Sequence, residues 1–350
     1  MLIKSIKLKD YRNYSNYSID FNPNLNIIIG PNGIGKTNIL ESIVVVSNSK
    51  SFRTLNDQDL IQKGKNYLKV DLDSDEYNFK VVINNKNKAL YLNNNISKKT
   101  SDFIGKLNAI LFKPSDLELF TNAPSERRKI LDLEIGKVNK KYLLSLLQYN
   151  SLLKDKNKLL KELEIDETLL NVINESMVPH LEIIIQEREN FFEIINTYIS
   201  DIYSKISNTN SKIKINYKKC CEIKDIKENL LKSKDKDYYY HHATLGTHKE
   251  DYYFTIDDYD LNSIASQGQK RMVLISFKFA LIKYIQLFAG ITPIVLLDDI
   301  MSELDKDNQE RLLGQIPENI QVIITNTDLQ NLNINKDYTL IDLSKEENYV

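Results

Sequence analysis

The chain has 350 residues, 42% of them apolar and 27% charged, with a formal net charge of −1. A chain of this size can bury a substantial core and is expected to divide into two lobes. The near-zero charge excludes a protein that attracts nucleic acid or membrane as a whole, so any such binding needs a local patch. The two cysteines, Cys220 and Cys221, are adjacent, which leaves neither a disulfide framework nor a zinc site.

In chain order, Met1 to Leu8 alternates apolar with polar residues like an edge strand. It has neither the continuous apolar core nor the cleavage site of a signal peptide. Leu25–Ile29 reads as a short buried strand, and Asn38–Ile43 as the first turns of a helix. Between them, Gly30, Pro31, Asn32, Gly33, Ile34, Gly35, Lys36 and Thr37 match G-x-x-x-x-G-K-[ST] without departure. A strand feeding a glycine-rich turn into a helix lets backbone N–H groups and the positive helix end converge on phosphate oxygens. Lys36 can then reach the β- and γ-phosphates and the Thr37 hydroxyl can hold Mg²⁺. This pattern predicts binding of a nucleoside triphosphate.

Further along, Val81–Ile83 and Ala89–Leu92 flank a turn-like Asn84–Asn87 and predict a hairpin. From about residue 115 to 210 the apolar spacing turns helical, through Leu143, Leu146 and Leu147 and then Ile173, Met177, Leu181 and Ile184. Pro179 is expected to start or kink the second long helix. Alternation returns at Lys212–Tyr217 and Tyr253–Ile256. No apolar run reaches the roughly 18 residues of a membrane span. The longest, Ile285 to Leu297, is broken by Gln286, Gly290 and Pro293, so a cytoplasmic protein without a membrane partner is expected.

Two later segments belong with the phosphate loop. Pro293–Leu297 is an apolar run ending in Asp298 and Asp299, the pattern of a Walker B strand. Buried in a parallel sheet, its C-terminal end would set Asp298 beside the loop to help hold Mg²⁺, with Asp299 polarising the attacking water. Ser266, Gln267, Gly268 and Gln269 open a helix and resemble the signature motif of ABC-type ATPases, with Gln267 in place of the first glycine. A hydroxyl and a glycine at a helix N-terminus form a second anion site, which in that architecture meets the nucleotide of a partner subunit. Ser302–Asp305, directly after Walker B, resembles the D-loop that sits across the same interface.

The order of these motifs, with segments outside them, resembles the RecF family of SMC-related bacterial DNA replication and repair ATPases. The resemblance runs nearly end to end. It rests on Leu8–Tyr14, on Gly30–Ile43 including Asn38 in the nucleotide segment, and on Lys50–Arg53. Phe112–Leu117, Arg127–Asp132 and Tyr149–Lys154 extend it. It implies an α/β fold, an ABC-type ATPase head with a mixed P-loop sheet (residues 1–114 and 211–350) carrying an inserted helical lobe (residues 115–210). It also implies an ATP-dependent homodimer that grips DNA at gaps or single-strand/double-strand junctions and works with RecO and RecR to load RecA. The catalytic set would be Lys36, Asp298 and Asp299, with Ser266–Gln269, Ser302 and Asp305 acting in trans. Arg53, Lys63, Lys65, Arg127, Arg128 and Lys129 are the candidate DNA contacts, through phosphates and therefore weakened by salt.

The chain departs from the family at Gly246–Asp251, where Gly-Pro-His-Arg-Asp-Asp is usual. Here Thr247 and Lys249 replace Pro and Arg, changes that bear on the local geometry and on any bidentate contact at the latter. Asn326 follows Val322–Ile324 where many ABC ATPases carry a switch histidine. Asp299 stands where they carry Glu, as in the RecF family itself, and the shorter acid without a histidine is consistent with slow hydrolysis. A transporter ATPase subunit shares the nucleotide motifs but not the outer segments. An SMC-type structural ATPase would need longer heptad runs than residues 115–210 supply. A P-loop kinase or GTPase would leave Ser266–Gln269 and Ser302–Asp305 without a role.

Overall fold

Alternation of apolar and polar residues through the first hundred positions builds antiparallel strands with one wet face. They are β1 (Ile3–Tyr11), β2 (Tyr14–Asp20) and, after β3 (Leu25–Ile29) and helix α1 (Lys36–Asn48), β4 (Tyr67–Ser74), β5 (Asn78–Asn84), β6 (Lys88–Leu92) and β7 (Asn95–Ile96). The computed structural model describes residues 1–329, 332, 334 and 337–345. β8 (Ala109–Phe112) precedes the helices α2 (Pro124–Val138), α3 (Lys140–Leu159) and α4 (Glu167–Ser207). β9 (Ile213–Lys218), α5 (Ile226–Lys232), α6 (Lys234–Tyr240), β10 (Asp251–Ile256), β11 (Tyr259–Asp260), α7 (Leu261–Ile264) and α8 (Gln267–Ala289) come next. The chain returns through β12 (Ile294–Asp298), α9 (Lys306–Gln315), β13 (Val322–Asn326) and β14 (Tyr338–Asp342).

Two compact units result. The first contains Met1–Asp116, Ser204–Thr209 and the chain from Leu274 on. It holds an antiparallel sheet in the order β2-β1-β4-β5-β6-β7 and a sheet in the order β14-β3-β13-β12-β8. Every pairing in the second of these is parallel. Helix α1 lies in one apolar cluster with both sheets: Ile39, Leu40, Ile43 and Val44 meet Ile6, Leu8 and Val70 as well as Ile28, Leu296 and Ile323. Each such side chain, once fully buried, contributes roughly 1.5–3 kcal/mol relative to exposure. The helix that begins at the phosphate loop is thereby fixed from both sides. The predicted hairpin forms as β5–β6 around Asn84–Asn87, which closes with an Asn84 N–H to Asn87 O bond of 2.9 Å. The opening segment is not an edge strand: β1 lies between β2 and β4, its wet face being the open face of the sheet.

The second unit comprises Leu117–Tyr203 and Asn210–Val273. The sequence placed a boundary near residue 210, but the strands that follow pack with the helices. Asn196 on α4 donates to Ile215 O at 2.9 Å and accepts from Ile215 N at 2.8 Å, and Ser200 bonds both backbone groups of Ile213. Side chains of α4 thus close the edge of β9 that β10 does not pair, which is the usual remedy for an open strand edge. Phe192 adds ring contacts with Tyr217 and Tyr252 at 5.2 and 5.1 Å. Pro179 neither starts nor ends a helix, because α4 begins at Glu167 and runs through it. Helix α8 is long and apolar enough to cross a membrane by length and composition, which the run-by-run reading of the sequence missed. Two thirds of that apolar window (67%) is buried inside the protein, as in a core helix.

Candidate nucleotide-binding site

The first unit brings the phosphate loop and the Walker B carboxylates together at the C-terminal ends of parallel strands. The loop leaves β3 and enters α1, with Gly30, Gly33 and Gly35 at φ values of 153°, 85° and 120°. Gly35 is forced twice over: its φ is left-handed, and a Cβ there would meet Tyr14 Oη at 2.6 Å and Asn13 Nδ2 at 2.7 Å. Pro31, Asn32 and Gly33 are exposed, whereas Lys36 is buried. The Lys36 ammonium donates to the carbonyls of Gly30 (2.7 Å) and Pro31 (3.2 Å). Burial lowers its pKa, opposed by the nearby carboxylates of Asp299 and Asp298.

Thr37 Oγ1 donates to Asp298 Oδ1 at 2.9 Å, joining residues 261 positions apart. Asp298 is buried, and burial raises its pKa. Hydroxyl donors from Thr325 and Thr37 oppose that rise, and the neighbouring Asp299 adds to it. Asp299 has a left-handed φ of 51°, and its Oδ1 is buried without a hydrogen-bond partner. One hydroxyl and two crowded carboxylates, one with an orphaned acceptor, are hard oxygen donors that fit a Mg²⁺ ion sharing its shell with phosphate and water. Ser302, exposed, bonds back to Asp299 O at 2.7 Å. Asp305 caps α9 by accepting from Asn308 N at 2.8 Å.

Around the loop lies a network the motif reading did not assign. Arg12 holds the buried Glu41 with two bonds of 2.9 and 2.7 Å, and Ser51 donates to the same carboxylate at 2.6 Å. Asn13 donates to Ile34 O at 2.8 Å and accepts from Asn38 at 2.7 Å; Arg53 donates to Asn38 Oδ1 at 2.7 Å. Arg12 and Asn13 were visible only as part of a family-like segment. The exposed Lys63 and Lys65 line an open groove of about 760 Å³ with Arg12, Gly33 and Ile34. Thr325, on β13, touches both Walker B residues; nothing in its local sequence signals that.

In the second unit, Ser266 and Gln269 form a reciprocal cap at the start of α8. Ser266 N donates to Gln269 Oε1 at 2.9 Å, and Gln269 N donates to Ser266 Oγ at 3.2 Å, the capping-box arrangement. Ser266, Gln267, Gly268 and Gln269 are all exposed. Two of the predicted DNA contacts, Arg127 and Arg128, are half-buried and engaged by residues far along the chain. Arg127 forms a two-pronged pair with Asp251 (2.8 and 2.6 Å), and Arg128 donates to Glu250 O at 2.6 Å. Both belong to the internal framework of the unit, a role that adjacency of two arginines does not reveal. Lys129 remains exposed, paired with Glu126 on its own helix.

The altered Gly246–Asp251 segment is the centre of that framework. Gly246 has φ 137°, and a Cβ there would sit 2.1 Å from Tyr149 Oη. His248 is held between Tyr149 Oη (2.6 Å) and Ala243 O (3.1 Å), and burial lowers its pKa to about 4. Glu250 and Asp132 flank the buried Arg188, which also donates to Thr247 O at 3.0 Å.

Residues 2–349 match the family described as RecF/RecN/SMC N terminal domain. The chain is 37% identical to the DNA replication and repair protein RecF of Lachnospira eligens, over 98% of each chain. It is 38% identical to the protein of that name from Streptococcus agalactiae, over 95% of this chain and 93% of the other. Among solved structures, the recombination mediator protein RecF with ATP superposes at a TM-score of 0.88, with 31% identity and coverage of 95% and 93%. An Smc head domain from Pyrococcus furiosus, at 19% identity and a TM-score of 0.55, shares the fold. The chain therefore belongs to the RecF family, within the wider RecF/RecN/SMC group of ATP-binding heads.

Proposed function

We propose that this protein is a cytoplasmic, ATP-dependent DNA-binding protein of replication and recombinational repair. Its first unit serves as the ATPase head and its second as the helical lobe. The observation that carries the reading is the Thr37–Asp298 hydrogen bond, which joins the phosphate loop to the Walker B strand. ATP would lie on Gly30–Asn38, with Lys36 leaving its carbonyl acceptors for the β- and γ-phosphates. Mg²⁺, held by Thr37 and Asp298, supplies charge neutralisation at the phosphates when bound. Asp299 accepts a hydrogen bond from the attacking water and orients it.

Ser266–Gln269, exposed on a capped helix start, would close over the γ-phosphate of a second copy, with Ser302 and Asp305 lining the same contact. ATP then favours the closed homodimer and hydrolysis the open one, because only the γ-phosphate distinguishes the two states. With its shorter acid and Asn326 in place of a histidine, the chain would hydrolyse slowly and act as a timed clamp. Arg53, Lys63, Lys65 and Lys129 are the cations retained as phosphate contacts to gapped or junction DNA. The kinship with RecF supports, as part of this proposal, action with RecO and RecR to load RecA.

Fluorescence anisotropy on a gapped duplex tests the proposal, with ATP, with ADP and without nucleotide. Tight binding by the ATP-bound wild type alone is expected. Lys36→Ala should fail at nucleotide binding, and Ser266→Arg at dimer closure with nucleotide still bound. DNA binding that is absent or indifferent to ATP would sink the clamp reading and favour an ATPase subunit of another ABC system.

A further inference from the structure

Thr325 is fully buried on β13, the strand that separates the phosphate-loop strand β3 from the Walker B strand β12. Its hydroxyl donates to Asp298 Oδ1 at 2.9 Å and accepts from the Asp299 amide at 3.1 Å. A hydroxyl carries one proton and two acceptor positions. One oxygen therefore fixes the carboxylate of one acid and the backbone of the next. The second of these matters because Asp299 stands at φ 51°, in a region that non-glycine residues rarely occupy and that surrounding bonds must hold.

Asp298 Oδ1 has a second donor in Thr37, also at 2.9 Å. The two donors differ in what carries them. Thr37 begins a helix from an exposed loop whose neighbours are to meet phosphate, whereas Thr325 is paired in the sheet interior, with Asp298 directly opposite in the parallel register. A loop that rearranges around a ligand cannot also be the fixed reference for the acids. The sheet can.

We infer that Thr325 is a positioning residue for hydrolysis: it anchors Asp298 as a cation ligand and sets the Asp299 turn that aims its carboxylate at water. This rests on the nucleotide reading above. Thr325 acts through the two acids, so it affects turnover and the part of nucleotide binding that depends on Mg²⁺, and leaves Mg²⁺-free nucleotide binding unchanged.

The test compares wild type with Thr325→Val, which keeps the shape and removes the hydroxyl, and Thr325→Ser, which restores it. Circular dichroism melting verifies folding, and Thr325→Ala replaces the valine variant if that chain does not fold. The expected result is a fall in kcat of about 10- to 100-fold, at roughly tenfold per lost hydrogen bond, with KM for ATP in Mg²⁺ rising by only about fivefold. Serine should recover most of the loss. A second readout needs no turnover: the affinity of a fluorescent ATP analogue with Mg²⁺ and with EDTA. The gain that Mg²⁺ brings should shrink at least about fivefold in the valine variant and persist with serine.

A valine variant with wild-type kcat and Mg²⁺ dependence overturns the inference, as does equal impairment by valine and serine. A wild type that binds ATP without hydrolysing it overturns the hydrolytic role alone. A wild type that does not bind ATP overturns the nucleotide reading and this inference together.

Discussion

The phosphate-loop site of the first unit and the Arg188 framework of the second both bury charge, but they treat it in opposite ways. Around Arg188, each carboxylate has a cationic partner and further donors. Glu250 also accepts from Tyr217 Oη and from Cys220 N, and Asp132 also accepts from Tyr142 Oη. At the phosphate loop, Asp298 and Asp299 lie side by side, Lys36 donates to backbone carbonyls, and Asp299 Oδ1 has no partner. The first arrangement is complete and resists change. The second is left short of positive charge, which suits the Mg²⁺ ion proposed to bind there.

The sharpest way to break the comparison is to remove the cation from the completed network. Arg188→Leu strands two carboxylates, one of them fully buried, and should destabilise the second unit by about 3–5 kcal/mol, read as a lower urea midpoint. Next comes acid. His248 titrates near 4 in the folded chain against about 6.5 when unfolded. Between those values the unfolded chain takes up a proton that the folded one refuses, so stability present at pH 7 is lost as pH falls. The loss should approach about 3 kcal/mol by pH 4, and His248→Gln should remove that part of the pH dependence of the urea midpoint.

Lys36→Ala tests the other side of the comparison. ATP affinity measured by anisotropy should fall about 100-fold, while the urea midpoint should hardly change, because the bonds lost are to carbonyls of an exposed loop. The smallest effect belongs to Ser266→Ala, which removes half of a reciprocal cap and should cost about 1 kcal/mol of stability. In the proposed clamp it should also weaken ATP-dependent dimerisation, measured by analytical ultracentrifugation.

The phosphate loop was legible because its chemistry requires contiguous residues: turn, lysine and hydroxyl are neighbours along the chain. The Walker B strand was legible for the same reason, as an apolar run with two acids at its end. Thr325 was not, since its partners come through strand register, and register between parallel strands leaves no local trace. Arg127 and Arg128 read as surface cations because side-chain partners across the unit, Asp251 among them, are invisible from composition. Of the two roles expected for Pro179, starting the helix is ruled out, because a helix of 41 residues runs through it.

The strand order also governs when the site can exist. Among the described residues β3, with its run of isoleucines, pairs only with β13 and β14, whose residues lie roughly 300 positions later. At ribosomal speeds of roughly 5–20 residues per second, the loop strand waits about 15–60 seconds for its neighbours. Such long-range pairing is slow to form and leaves apolar edges open meanwhile. A nascent chain therefore carries its phosphate loop long before it has a Walker B acid beside it. The nucleotide-driven pairing of two copies proposed above could begin only after synthesis has passed β13.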